Sequence, residues 1–137
     1  MSFLKALEDE YRFLSDALNL RAGRQQLIAS NIANADTPGF KAKDLDFAAA
    51  LKAVEEQRNP AVNLNTTHRD HLTGKPADPV GKHTQYRQGG QDNIDGNTVN
   101  MDTERTQFTE NALHYQFVAD RISEETQEFL QAIRTNG

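Results

Sequence analysis

The sequence predicts a mainly α fold class, with two long terminal helices forming an antiparallel coiled coil or bundle. A short helix and a loop-rich region with minor β structure join them. Three observations lead there. Apolar residues recur at heptad spacing near both ends. Turn-forming Gly, Pro, Asn and Asp crowd the middle. Only 36% of the 137 residues are hydrophobic and there is no Trp, with a mean hydropathy of -0.75. A chain of this length can hold one core. The distribution nevertheless favours elongated elements, each with a single buried stripe, whose full burial draws on partner chains. The expected organisation is one domain over 1–137, with an N-terminal helix at 2–35, an irregular centre at 36–100 and a C-terminal helix at 102–134.

The first helix is read from Leu4, Leu7, Tyr11, Leu14 and Leu18, which follow alternating steps of three and four. Arg21 and Gln25 interrupt the seam, which resumes at Ile28, Ile32 and Ala35, with Ala22 and Ala29 able to bridge the break. Pro38-Gly39 stops the helix, because proline cannot continue the ladder and disfavours helix in Thr37 before it. At about 1.5 Å per residue the element spans roughly 50 Å.

The centre differs in kind. Leu45, Phe47, Leu51 and Val54 form the apolar side of a short helix at about 46–57. Val62 and Leu64 alternate within 61–67, as in an edge strand. Turn signals follow at Thr73-Gly74, Gly89-Gly90 and Asp95-Gly96, with short strands expected near Tyr86 and around Thr98-Val99.

The last helix repeats Met101, Phe108, Tyr115, Ile122 and Phe129 every seven residues, with Ala112, Ala119, Thr126 and Ile133 as the companion half of its seam. Asn100 or Asp102 supplies an N-cap, and Asp102 and Glu104 suit the positive helix terminus. Polar breaks in such seams set register and partner at some cost in stability.

Charge and composition narrow the function. A net charge of -5 and no run of three Lys or Arg argue against nucleic acid, whose phosphates need a basic face. The excess lies at the end, with seven acids against three bases over residues 101–137. Such an acidic helix reads as a solvated face. Without Cys there is neither a disulfide framework nor a thiolate metal site, which suits a protein meeting oxidising surroundings. The N-terminus lacks the pattern of a cleaved secretory signal. No apolar run is long enough to insert directly in a membrane.

Chemistry finds no foothold. His68, Asp70 and His71 cluster, but His-x-x-His makes a ligand pair only on a helix, and no third ligand can be assigned. Glu55-Glu56 and Glu124-Glu125 are helical neighbours that do not face each other. Gly89-Gly90 lacks the spacing of a phosphate loop. No catalytic, cofactor or metal residue is assigned, and the expected function is not enzymatic.

The most informative stretch is SNIANADTPGF, residues 30–40. Asn31 and Asn34 can bond backbone groups of the turn or of a neighbouring chain. Ala33 and Ala35 allow close approach, Thr37-Pro38-Gly39 breaks the helix, and Phe40 offers an apolar anchor. One Pro-Gly pair would suffice to end a helix, so this stretch exceeds what termination requires.

Extended through Lys41-Ala42-Lys43-Asp44-Leu45-Asp46-Phe47, that stretch resembles the N-terminal signature of the flagellar rod, hook and filament-junction family of axial proteins. Residues 17–22, ALNLRA, and 95–105, DGNTVNMDTER, resemble the stretches that precede it and that open the C-terminal helix in rod members. The resemblance covers roughly residues 10–55 and 92–120, with departures at Asn100, where an acid is expected, and Phe40, where a Tyr is expected. It implies a structural subunit of the basal-body proximal rod in the periplasm, exported without a cleaved signal by the flagellar type III apparatus and polymerised through its terminal helices. The implied partners are copies of itself, other rod and basal-body proteins and the flagellar export apparatus. The implied assembly residues are Asn31, Ile32, Ala33, Asn34, Thr37, Pro38, Gly39 and Phe40 in the turn, with Leu14, Leu18, Phe108, Tyr115, Ile122 and Phe129 in the seams. The rival expectation is a coiled-coil adaptor or an export chaperone. An interrupted seam and a polar middle suit that less well.

Overall fold

A computed structural model describes residues 3–58, 78–88 and 93–135. In chain order it has α1 (Phe3–Ala33), β1 (Lys43–Leu45), α2 (Phe47–Arg58), α3 (Pro79–Lys82), β2 (Thr84–Tyr86) and α4 (Met101–Thr135). The expected strand at 61–67, the turns at Thr73-Gly74 and Gly89-Gly90, and the group His68, Asp70 and His71 lie outside the described residues.

α1 and α4 run antiparallel. Asn31 meets Glu104, Asn111 meets Arg21 and Gln25, and Glu10 meets Arg121. α1 ends at Ala33, two residues before the expected boundary, where the ladder tightens: the Asn34 N–H is shared between the Ser30 and Asn31 carbonyls, and the Ala35 N–H reaches Ile32, three residues back. α4 starts where Asn100 places its side-chain oxygen over the N–H groups of Asp102 and Thr103, at 3.0 and 3.1 Å. An Asn therefore caps this helix as well as the expected acid would.

Between the long helices, β1 and β2 pair antiparallel, Lys43 opposite Tyr86 and Leu45 opposite Thr84. β2 falls where a strand was expected near Tyr86, whereas β1 was not foreseen. Thr98-Val99 forms no strand. Thr98 instead bonds Phe40 through its N–H and Ala42 through its hydroxyl. Asp46 then accepts from the Ala49 N–H and opens α2.

The apolar core lies between α1 and this central unit, not between the two long helices. Leu20, Leu45 and Ala50 are buried there, with Leu27, Phe47, Leu51, Val54 and Val80 packed against them. The Arg21 guanidinium lies over the Phe47 ring at 3.7 Å from its centroid. That stacked cation explains how an arginine interrupts the seam without opening the fold.

The α1–α4 seam corrects one expectation. The buried residues of α4 are Glu104, Asn111 and Glu125, with Val118 half-buried between them. These recur every seven residues on the side facing α1. Ala112, Thr126 and Ile133, expected as the companion half, are exposed. The apolar stripe of α4 thus flanks the contact with α1, bordering it in open grooves, and mostly polar side chains fill the contact itself.

Candidate assembly surface

A polar junction holds the upper end of the helix pair. Arg24 donates to both oxygens of Asp44 at 2.8 and 3.0 Å, and to Gln107 at 2.6 Å. Arg87 donates to Asp44 at 3.1 Å and pairs with Glu104. Two arginines and two carboxylates balance. Glu104 is 0% exposed, and a buried carboxylate persists only when paired and bonded in this way. Burial pushes the Asp44 carboxyl up. The hydrogen bond and charge of Arg24, with the Leu45 N–H and Arg87, outweigh that and hold it below the ordinary carboxylate range. The four charged residues of the junction come one each from α1, β1, the segment after β2, and α4.

Asn31 completes it. Its amide donates to the Lys43 carbonyl at 2.7 Å and to Glu104 at 3.2 Å, while its oxygen accepts from the Lys43 N–H at 3.0 Å. The side chain thus pairs with β1 as a further strand residue would. Asn34 acts locally, donating to the Ser30 carbonyl and accepting from the Thr37 hydroxyl.

The turn after α1 is filled by a residue from the far side of the sequence. The Asn97 amide donates to the carbonyls of Asn34, Ala35 and Thr37 at 2.9, 2.9 and 2.8 Å. Its oxygen accepts from the Val99 N–H. Gly39 has φ 72 and Gly96 has φ 79, a region that favours glycine. A Cβ on Gly96 would stand 3.7 Å from the Gly39 Cα, and the Gly39 N–H reaches the Asp95 carbonyl at 2.9 Å. The two glycines let the turn and the loop before α4 lie against each other. Thr37, Pro38 and Gly39 face solvent on the other side, and Phe40 is half-buried.

Along the side of the helix pair away from the core runs an apolar stripe. Phe108 and Tyr115 are each 39% exposed. Leu14, Leu18, Ile32, Ile122 and Phe129 are half-buried, and Ala33 is exposed. Two grooves open on it. One of about 570 Å³ is lined by Ala29, Ile32, Ala33, Arg105, Phe108 and Thr109. The other, of about 500 Å³, lies toward the helix ends among Leu4, Leu7, Glu8, Tyr11, Glu125, Thr126 and Phe129.

The stripe residues and Ile32-Ala33 therefore share one side of the pair, whereas the Asn31 and Asn34 side chains turn inward or locally. Sequence reasoning gave no role to Arg24, Arg87 or Asn111, placed Asp44 and Asn97 only within resembling stretches, and read Glu104 only as an acid suited to the start of α4. The seven-residue interval from Glu104 through Asn111 and Val118 to Glu125 was the available signal, hidden because its residues are mostly polar. Among the described residues no three His, Cys, Asp or Glu cluster as a metal site, and no helix is long and apolar enough to cross a membrane.

A family model described as flagella basal body rod protein matches residues 12–41, the stretch from mid-α1 through the turn. The chain is 46% identical over 123 residues to the flagellar basal body rod protein FlgB of Escherichia coli K12, covering 88% of this chain and 89% of that protein. It is 47% identical over 116 residues to the protein of the same name from Yersinia enterocolitica, covering 82% and 85%. To the one from Aeromonas hydrophila it is 41% identical over 119 residues, covering 86% and 87%.

Proposed function

Because the chain belongs to the FlgB family of flagellar basal body rod proteins, we propose that its apolar stripe is the surface through which it enters the rod. It is a structural subunit of the basal body and not an enzyme. The stripe carries the proposal. A monomer that leaves Phe108 and Tyr115 exposed and Leu14, Leu18, Ile122 and Phe129 only half-buried has apolar surface that association removes from water. The remaining partners follow from the same reading: copies of the chain, other rod and basal-body proteins, and the export apparatus that delivers it. The turn at Thr37–Gly39, exposed beside the stripe, extends the contact surface, and the buried junction beneath holds both in fixed relation.

The test replaces Phe108 and Tyr115 by Ser. Circular dichroism of the purified variant should match the parent, and secretion should persist. The variant should be missing from isolated rods. Incorporation at the parental level would remove the stripe from assembly.

A further inference from the structure

We infer that Asn111, flanked along α4 by Glu104 and Glu125, is a positioning residue that sets the roll of α4 on α1 and so keeps the aromatic stripe open. This rests on the reading of the stripe as an assembly surface and names the residues that prevent the chain from burying it within itself.

Each stripe residue follows a residue of the line that faces α1 by four positions: Phe108 after Glu104, Tyr115 after Asn111, Ile122 after Val118 and Phe129 after Glu125. Four helical residues make about 400°, so the stripe stands only about 40° around α4 from that line. A roll of this size would carry the stripe onto α1. The grooves beside Phe108 and Phe129, about 570 and 500 Å³, leave room for it. Burial of apolar surface favours the rolled arrangement, so something must hold α4 out of it.

Asn111 does so at mid-helix. It is 0% exposed, and its amide donates to the Arg21 carbonyl at 2.9 Å and to the Gln25 side-chain oxygen at 2.7 Å. A roll would pull the amide off both acceptors and leave it buried without a partner. Glu104 is held in the same way by Asn31 and Arg87. The flank opposite the stripe is tied as well. Arg24 holds Gln107 at 2.6 Å and Glu10 meets Arg121 at 3.5 Å. Gln107 and Arg121 each stand three residues after a position of the line, about 60° the other way, so both ties resist the roll. Glu125 acts by exclusion. Its carboxylate, paired with Arg121 of its own helix, lines the groove beside Phe129, and a charge resists being carried farther from water. Polar residues in a helical seam fix one arrangement at some cost in stability.

Gln25→Leu with Asn111→Leu removes the amide and its acceptor together, a change that is nearly neutral or stabilising where shape is kept. The chain has no Cys, so Tyr115→Cys reports the stripe and His114→Cys the opposite flank without background. In the leucine pair the Tyr115→Cys thiol should react with a maleimide roughly three- to tenfold more slowly than in the parent, because it then reacts mainly through local opening. The His114→Cys thiol should react as fast or faster. Urea unfolding should show no loss of stability, and the leucine pair without thiols should be secreted yet depleted in isolated rods. An unchanged rate at Tyr115→Cys would overturn the inference. Faster reaction at both sites in a folded but weaker chain would also overturn it, since that is the mark of a merely structural Asn111. Glu125→Leu read with Phe129→Cys tests the other groove independently and decides the matter where the leucine pair does not fold. Slower reaction is expected there, and a parental or faster rate would overturn the inference. Slowed reaction with parental rod content would support the roll but overturn its role in assembly, and the Phe108 and Tyr115 serine variant would then enter rods too.

Discussion

Asn97 sits 60 residues beyond Thr37 in the chain, yet it supplies the donors for three carbonyls at the end of α1. Its side chain is 0% exposed, so water cannot replace it without opening the loop. Asn97→Ala should cost about 2–4 kcal/mol, since each buried group left without a partner loses about 1–3 kcal/mol. Urea unfolding would measure it, and a loss under about 0.5 kcal/mol would mean that the turn holds without this side chain. Asp44 makes a prediction in pH. Its folded pKa is lowered, so its contribution is fully present above the unfolded value of about 3.9 and is lost as pH falls below that and through the lower folded value. Asp44→Asn should therefore weaken the chain at neutral pH and flatten its decline as pH falls below about 4. An unchanged acid slope in the variant would place the acid sensitivity elsewhere. Neither residue announces itself in sequence. Asn97 reads as part of a turn, and Asp44 as one acid among many, because their value lies in partners brought close by folding.

At the scale of elements, α1 carries a glycine where helix propensity argues against one. A Cβ at Gly23 would meet the Val80 Cγ2 at 2.6 Å and its Cγ1 at 3.2 Å. Val80 is β-branched and has no flexible end to move aside. Gly23→Ala gains about 1 kcal/mol of helix propensity but overpacks the contact with α3 by about 1–3 kcal/mol. The expected outcome is a net loss. In a Val80→Ala background the same change should stabilise, and the double-mutant cycle gives the coupling directly. Additive effects would show that the two elements separate freely. The long helices and their stops were legible because heptad spacing and Pro-Gly act locally. β1 was not, because three residues carry no period and their pairing depends on Arg87 and Thr84 across the unit. The seam between α1 and α4 was misread by one position for a related reason. A search for apolar repeats finds the stripe, whereas the facing positions hold Glu104, Asn111 and Glu125; Glu104 bonds Asn31 and Asn111 bonds Arg21 and Gln25 on α1, partners invisible in a linear pattern.

The whole molecule is a helix pair with a core on one side and an apolar stripe on the other, and these two sides should respond to mutation in different ways. Leu20 belongs to the core and is 1% exposed, so Leu20→Ala should cost the isolated chain about 2–5 kcal/mol. Assembly should suffer only through the smaller folded fraction. Leu14 and Phe129 are half-buried on the stripe, and Phe129 floors an open groove beside Leu4, Leu7 and Tyr11. Much of what Ala removes there is surface that the single chain has not yet buried. Leu14→Ala and Phe129→Ala should therefore shift the unfolding of the isolated chain by about 1–2 kcal/mol, less than a fully buried site. The remainder of the loss falls at assembly, where it recurs in every contact that uses the residue. Motility and the quantity of chain in isolated rods should drop well below what the folded fraction predicts for these two variants, and match it for Leu20→Ala. Urea unfolding of the purified chains and quantification of rods from the same strains supply both axes. If all three variants lie on one line of incorporation against stability, the stripe is only the outer half of a core.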